Sequence, residues 1–485
     1  MEIKHNDISI IKKYCFLFII FMTLVISLFI FLPSLFDIIS KIFDKALVSK
    51  GGKFESVILL LSPIVVMVWI WLLFVKKNYL KALFFQIIIF PFTYKAAKAF
   101  AINIYLMPGY TQQISLTTFL IIALFLVLYV NGLISRSPHK DWRIFEKLLI
   151  IFAISLTVSQ LINHTLYDSI WLSIGAIWQF VLLFYILTSL VKTKENVYYI
   201  LNALIIFCFI NIFVRIVGEE QALFQSLHAG VIRVGEGAMG PPVSYGGYLA
   251  IIITIALALY RCKEKIIYLG IGAILFIELL NTFTRAGFLA LFFLLFIPVW
   301  KKERKFFSRV LISLMPIIII FGKNIWEYAS FRGLSISSKI MSITNVDNRM
   351  RLIRIYLTEN FHFSIFGRGI GNPTFISMDG RSFTAHNLLV DIYDTGGIVV
   401  MIIFLIIYIY STISAFNKVK SASIENHDNI LFGYVFISLL QWFFFMNITS
   451  AGLFGYYPYE ATFIFWIISF LPFLKLIQNK KNIAH

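Results

Sequence analysis

Acidic residues, cysteines and histidines are scarce in this 485-residue chain: Asp and Glu together number 24, cysteines three and histidines eight. Charged residues of both signs make up only 14%. A soluble protein of this length would need far more polar surface, so a free globular domain is excluded. Cys15 and Cys208 lie in apolar runs and Cys262 in a basic loop, which argues against a disulfide framework or a thiolate metal cluster. No internal repeat is visible. The first apolar run is too long for a cleavable leader and lacks a small-residue cleavage site, so none is expected.

What the chain has in abundance is apolar sequence. Hydrophobic residues make up 60%, and the mean hydropathy is +0.87. Runs of about twenty apolar residues recur throughout, each long enough to cross a bilayer. The expected fold is all-α: a polytopic membrane protein with about fourteen transmembrane helices. The spans fall near 15–34, 56–75, 80–105, 114–134, 148–164, 169–191, 199–217, 243–260, 266–283, 286–300, 309–325, 388–410, 430–447 and 458–476. The third contains Pro91, Lys95 and Lys98 and is expected to be broken or partly re-entrant.

The net charge of +18 raises the question of nucleic acid, and its placement answers it. More than half of the Lys and Arg fall on one side of this threading, including Lys76, Arg136, Arg143, Lys194, Arg261, Lys263, Lys302, Lys418 and Lys481. That is the positive-inside pattern, not a nucleic-acid surface. It places both termini in the cytoplasm. One large excursion, residues 326–387, then lies outside with seven basic side chains. The chain divides into amino-terminal helices (1–217), a region 218–410 containing that loop, and carboxy-terminal helices (411–485).

Four groups on the external face are candidates for chemistry. Residues 218–242 form a Gly- and Pro-rich loop around Arg233. Its exposed amides and fixed charge suit an anion, though a tight connection with a solvated arginine explains it as well. Arg285 sits in a very short external turn at membrane depth, two helical turns from Glu278. It either pairs with that carboxylate, reaches the headgroups, or meets a phosphate. In the large segment, Arg351, Arg354 and Thr358 recur at helical spacing beside Met350, Ile353 and Leu357, which predicts a helix lying on the bilayer surface. The run Gly367-Arg368-Gly369-Ile370-Gly371 follows. No βαβ context surrounds it, so it reads as a turn letting backbone approach a ligand or another helix closely. Last, His386-Asn387 stands at the mouth of the span starting at Leu388. Histidine titrates near neutral pH and suits a general base; it is as readily structural. Asp391 and Asp394 follow, placed to orient it or to pair with arginines. No carboxylate or histidine cluster has metal-ligand spacing, and the external loops lack a D-x-D pair, so no metal site is expected.

Taken in order, Asn281-Thr-Phe-Thr-Arg285-Ala-Gly287, Asn348-Arg349, Ile365-Phe-Gly-Arg-Gly-Ile-Gly-Asn372, and Ala385-His386-Asn387 with Gly396-Gly397 resemble the O-antigen polymerase and O-antigen ligase superfamily, the Wzy/WaaL type. The resemblance covers roughly residues 233–410. It implies a GT-C-like glycosyltransferase of the bacterial inner membrane, without metal, cofactor or nucleotide sugar. Its donor would be a glycan on undecaprenyl pyrophosphate, among membrane lipids. The acceptor would be a lipid-linked repeat unit in a polymerase, or lipid A–core in a ligase, and a chain-length regulator would be a further partner. Arg233 and Arg285, with Arg349 or Arg354, would hold the pyrophosphate; Asn387 would help bind substrate; His386 would be the catalytic base. The ligase pattern H-[NSQ]-x9-G-x-x-[GTY] is met at Gly397 but departs at Val400, and this, with the span count, favours a polymerase. A flippase of lipid-linked oligosaccharide is the alternative from another class.

Overall fold

The computed structural model describes residues 67–99, 102–104, 112–114, 116–134, 139–218, 242–282, 285–294, 363–370, 375–376, 382–383, 387–421, 427–449 and 460–474. The expected spans 15–34 and 309–325 and the surface helix near 350–358 lie outside the described residues. Within them the chain is helical with two short β-hairpins. A π-helical turn, Trp71–Val75, precedes α1 (Tyr79–Ala99), the hairpin β1 (Ile102–Ile104) and β2 (Gln112–Ile114), α2 (Leu116–Val130) and α3 (Lys140–Asn163). Then come α4 (Leu166–Ser173), α5 (Gln179–Leu190), α6 (Lys194–Gly218), α7 (Pro242–Lys263), α8 (Ile267–Thr282) and α9 (Arg285–Phe292). The second hairpin, β3 (Phe375–Ile376) and β4 (Ser382–Phe383), leads to α10 (Leu388–Ser421), α11 (His427–Thr449) and α12 (Glu460–Phe470).

Five stretches among the described residues are helical, long and apolar enough to cross a bilayer: Lys140–Asn163, Asp168–Leu190, Gly246–Lys263, Leu388–Val419 and Ile430–Asn447. Shorter apolar helices cover Tyr79–Ile89, Thr118–Val130, Ile267–Leu279 and Thr462–Phe473. The protein is a multi-pass helical membrane protein. Its outer surface agrees. On α10, Ile402, Ile406, Ile409 and Ile413 form a stripe at helical spacing, each between 43% and 51% exposed. On the inward face Phe404, Ile407 and Ala415 are fully buried. So much uncovered isoleucine would be a liability in water and is ordinary against lipid tails.

Inside, the helices meet through aromatic rings. Trp442 of α11 stacks on Phe465 of α12 at 4.0 Å between ring centroids, and Phe180 of α5 on Trp466 at 5.6 Å. Phe404 of α10 packs on Phe465, and Phe152 of α3 on Trp466. α12 is thereby wedged among α3, α5, α10 and α11. On the other flank α7 packs against α6, α8, α9 and α11. Lipid tails are as apolar as these side chains, so close packing and interhelical hydrogen bonds hold the helices together. Buried examples are Thr118 to Gln179 and Thr254 to Gln441, each 2.9 Å from hydroxyl to amide oxygen.

Contacts between helix ends sort the bundle into two poles. At one, Lys263 at the end of α7 bonds Glu195 at the start of α6 at 3.3 Å and lies over the Tyr198 ring. There too Tyr410 of α10 donates to Asp141 at the start of α3, and Lys418 donates to the Leu474 carbonyl behind α12. This pole collects basic residues that the sequence placed on one side. The other receives the end of α3, the start of α10 and the end of α11.

The structure departs from expectation in two places. The backbone of α1 stays helical through Pro91, where a broken or re-entrant segment was expected. Neighbouring elements make proline tolerable within a membrane helix; α1 packs on α6, with Phe84 stacked on Tyr199 at 3.9 Å. Beyond α1 the chain forms the antiparallel hairpin, Ile102 opposite Ile114, where spans ending at 105 and starting at 114 were expected. The span near 169–191 is borne out as the continuous stretch Asp168–Leu190, α4 and α5 joined by a π-helical turn, Ile174–Trp178.

The Thr254–Gln441 bond predicts a measurable coupling between α7 and α11. Thr254→Val and Gln441→Leu should each lower the unfolding temperature in detergent. The double variant should fall short of the sum, by a coupling of about 0.6 kcal/mol. Strict additivity would mean that the bond contributes nothing to the packing.

Candidate functional site

The pole opposite the basic residues is organised around a break in α10. Helix α10 is continuous from Leu388 to Ser421 except at Gly397, whose φ of 79° and ψ of −177° are non-helical. Only glycine occupies that region readily. The break frees backbone groups that a helix would have paired, and in hydrocarbon each unpaired group costs several kcal/mol.

They are paired instead by residues 363–370, the glycine-rich run of the large segment. Arg368 N–H donates to the Asp394 carbonyl at 2.6 Å, and Gly369 N–H to the Thr395 carbonyl at 3.0 Å. In return Ile398 N–H donates to the Ser364 carbonyl at 3.1 Å. Side chains reinforce this ladder. Ser364 N–H donates to the Tyr393 hydroxyl at 3.0 Å, and the Arg368 guanidinium lies 3.5 Å from the carboxylate of Asp394. Asp394 is only 4% exposed and its charge needs that partner. Gly367 and Gly369 have φ of 68° and 83°. A Cβ on Gly367 would stand 2.6 Å from the Gly396 nitrogen, which is why the run carries glycine. Of the two readings of the run, close approach to another helix is the one realised.

The last turn of α3 closes the arrangement from the other side. Ser159 Oγ donates to the Thr395 carbonyl at 2.9 Å and also contacts the Phe366 carbonyl. Asn163 Nδ2 donates to the Gly367 carbonyl at 3.2 Å, and Gln160 Oε1 accepts from Ile370 N–H at 2.8 Å. His164 lies against Gly369, its Nε2 2.5 Å from where a Cβ would project. Sequence reading missed these four residues. The available signal was Ser-Gln-x-x-Asn-His at the end of an apolar run, polar groups on one helical face where lipid contact would be costly.

Among the sequence-predicted site residues, Asn387 is the best described. Its Oδ1 accepts from the N–H groups of Leu389 and Val390, both at 3.1 Å, so it caps α10. Its Nδ2 donates to the Asn447 carbonyl at 3.2 Å, tying that cap to the end of α11. The residue immediately before it, His386, lies outside the described residues, as do Arg233, Arg349 and Arg354. Arg285 is the first residue of α9, and only its backbone is described. Glu278, near the end of α8, is buried at 6% exposure.

Three helix starts converge here. A Cβ on Gly287, in the first turn of α9, would stand 2.6 Å from the Gly246 carbonyl near the start of α7. Gly247 abuts Phe445 of α11, and Phe293 just beyond α9 packs on Phe444 at 5.0 Å. With the Asn387–Asn447 bond, the starts of α7 and α10 flank the last turns of α11, and the start of α9 lies against that of α7. Helix N-termini carry partial positive charge, so three at one pole favour an anion.

The break predicts contrasting glycine substitutions. Gly132, φ 65°, has open space around it, whereas a Cβ on Gly397 would collide with the Ile365 carbonyl. Gly132→Ala should cost about 1–2 kcal/mol of left-handed strain. Gly397→Ala should lower the unfolding temperature in detergent far more, or abolish folded protein. Equal effects would mean that the 364–398 contact is loose.

No protein-family model matches the chain, and no curated protein matches it.

Proposed function

We propose that this protein is a membrane glycosyltransferase that transfers a glycan from undecaprenyl pyrophosphate to an acceptor sugar, polymerising the repeat units of O-antigen or a related surface polysaccharide. The observation that supports it best is that three helices, α7, α9 and α10, start at the same pole, two of them beside the end of α11. One follows the loop holding Arg233, one opens with Arg285, and one opens behind His386 on the Asn387 cap. Arginine charge and bidentate hydrogen bonding would neutralise the pyrophosphate and make it a good leaving group. His386 would take the proton of the acceptor hydroxyl. That oxygen then bonds the anomeric carbon as the bond to pyrophosphate breaks. Positioning and charge stabilisation supply the acceleration.

The proposed topology has about fourteen spans, both termini in the cytoplasm and residues 326–387 outside, in the bacterial inner membrane. A ligase acting on lipid A–core is the neighbouring reading, favoured by Gly397 standing where that motif requires glycine. A flippase is favoured by the break in α10, since transporters use discontinuous helices around substrate sites. Here the break is filled by the chain's own residues 364–369, which favours the enzyme.

Purified protein should form new glycosidic bonds from an undecaprenyl-pyrophosphate-linked glycan, in chelator and without nucleotide triphosphate. A ladder of products identifies a polymerase and a single addition to lipid A–core a ligase. Translocation across sealed vesicles with no new bond would replace the enzyme reading with the flippase. His386→Ala should lose about 10²–10⁴-fold in turnover while still binding donor. Arg285→Ala should lose transfer at normal membrane levels, and Arg285→Lys should restore it only in part. An active Arg285→Ala variant would remove the phosphate role.

Orientation is tested separately. Cysteines replacing Ser337 and Ser382 should react with an impermeant thiol reagent in intact cells stripped of their outer barrier. Labelling that appears only after lysis would invert the topology and put the arginines on the wrong face.

A further inference from the structure

We infer that Arg368 is a positioning residue, and that the 364–370 turn is a clasp setting the direction of the leading segment of α10 and of the base at its tip. The inference rests on the glycosyltransferase reading for its effect on catalysis, but its geometry stands apart from that reading.

The argument starts at Gly397. Residues 388–396 form a short leading segment hinged to the rest of α10 at this non-helical glycine. A lone glycine hinge leaves direction undetermined, because glycine accepts many backbone conformations at similar cost. What selects one is the bonding across the break. The Arg368 and Gly369 amides hold the carbonyls of Asp394 and Thr395 on the leading segment, while the Ile398 amide beyond the hinge holds Ser364. The turn therefore bonds both sides of the hinge at once. Ser159, Gln160 and Asn163 anchor the turn itself to α3.

Arg368 makes the one ion pair described within this clasp, 3.5 Å from Asp394, and adds a backbone bond to the same residue. Its side chain is 36% exposed while that of Asp394 is 4% exposed. The pair thus joins an accessible residue of the large segment to a buried residue of the leading segment. At the tip of that segment stands the Asn387 cap, directly behind His386. Through the Asp394 pair, Arg368 acts on the direction in which the tip is held.

The test measures direction and chemistry separately. Spin labels at Leu389→Cys on the leading segment and Leu161→Cys on α3 report the distance across the clasp in full-length protein, with the native cysteines replaced by serine. The starting protein should give one narrow distance distribution. Arg368→Gln should broaden or shift it, Arg368→Lys should restore it, and Asp394→Asn should reproduce the Gln result if the Gln variant folds poorly. In the transfer assay with an undecaprenyl-pyrophosphate-linked glycan, Arg368→Gln should lose about 10- to 100-fold in kcat with donor KM nearly unchanged, as small misplacements of a base do. Arg368→Lys should recover most of it. An unchanged narrow distribution in both Arg368→Gln and Asp394→Asn would overturn the clasp. A large rise in donor KM at constant kcat would make Arg368 a donor ligand and overturn the positioning role. If the unsubstituted protein transfers no glycan, the enzyme reading falls, and the distance measurement still decides the clasp.

Discussion

A peptide group inside a lipid bilayer has no water to bond, and the structure is organised by that constraint. Helices meet it along their length, so the described chain is nearly all helix. The informative place is where a helix fails to meet it. At Gly397 the ladder of α10 is interrupted, and the groups released are bonded by a turn from the large segment and by the polar end of α3. Three parts of the chain distant in sequence are fixed relative to one another by this repair. Around it the bundle is ordinary: aromatic rings packed at the centre, isoleucines turned to lipid, and a few buried hydroxyl–amide bonds between helices.

The two poles differ in chemistry because they differ in what they face. At one, lysines and arginines end helices, pair with Glu195 or bond the carbonyl of Leu474, and lie over aromatic rings. At the other, acidic residues are buried: Glu278, Asp391 and Asp394 are each less than 9% exposed. Three helices begin there and none of the described lysines stands among the residues holding the break. The proposed site for a lipid-borne pyrophosphate would lie at this pole, where the lipid would stay in the bilayer while its charged head met helix N-termini and arginines.

Hydropathy made most of the helices legible. The expected spans near 199–217, 243–260, 388–410 and 430–447 each lie within an observed helix, because twenty apolar residues in lipid have almost no alternative to helix. The irregular parts were not legible by that measure. Hydropathy has no period of two, so the three-residue strands at Ile102 and Gln112 were absorbed into neighbouring spans, although Pro108-Gly109 between them is a turn signal. Pro91 argued for a break in α1 that packing made unnecessary. The glycine run at 367–371 was read as a place of close approach, but nothing local named its partner. That partner is Gly396-Gly397 and a polar patch on α3 about two hundred residues earlier, and one sequence carries no record of such pairing. Of the proposed site residues, the capping position of Asn387 was implicit in an Asn just before an apolar helix.

The Ser159 bonds also have a consequence in time. Ser159 is 207 residues upstream of Phe366 and 236 upstream of Thr395. At ribosomal rates of roughly 5–20 residues per second, α3 is in the membrane for roughly ten to forty seconds before its partners exist. Through that interval Ser159, Gln160 and Asn163 have only headgroups, water at the bilayer edge and their own helix to bond. The joint between α3, the turn and α10 is therefore among the last parts of this protein to form. A nascent chain stalled before residue 398 would leave this polar seam open, along with the faces of α3 and α7 that α10, α11 and α12 later cover.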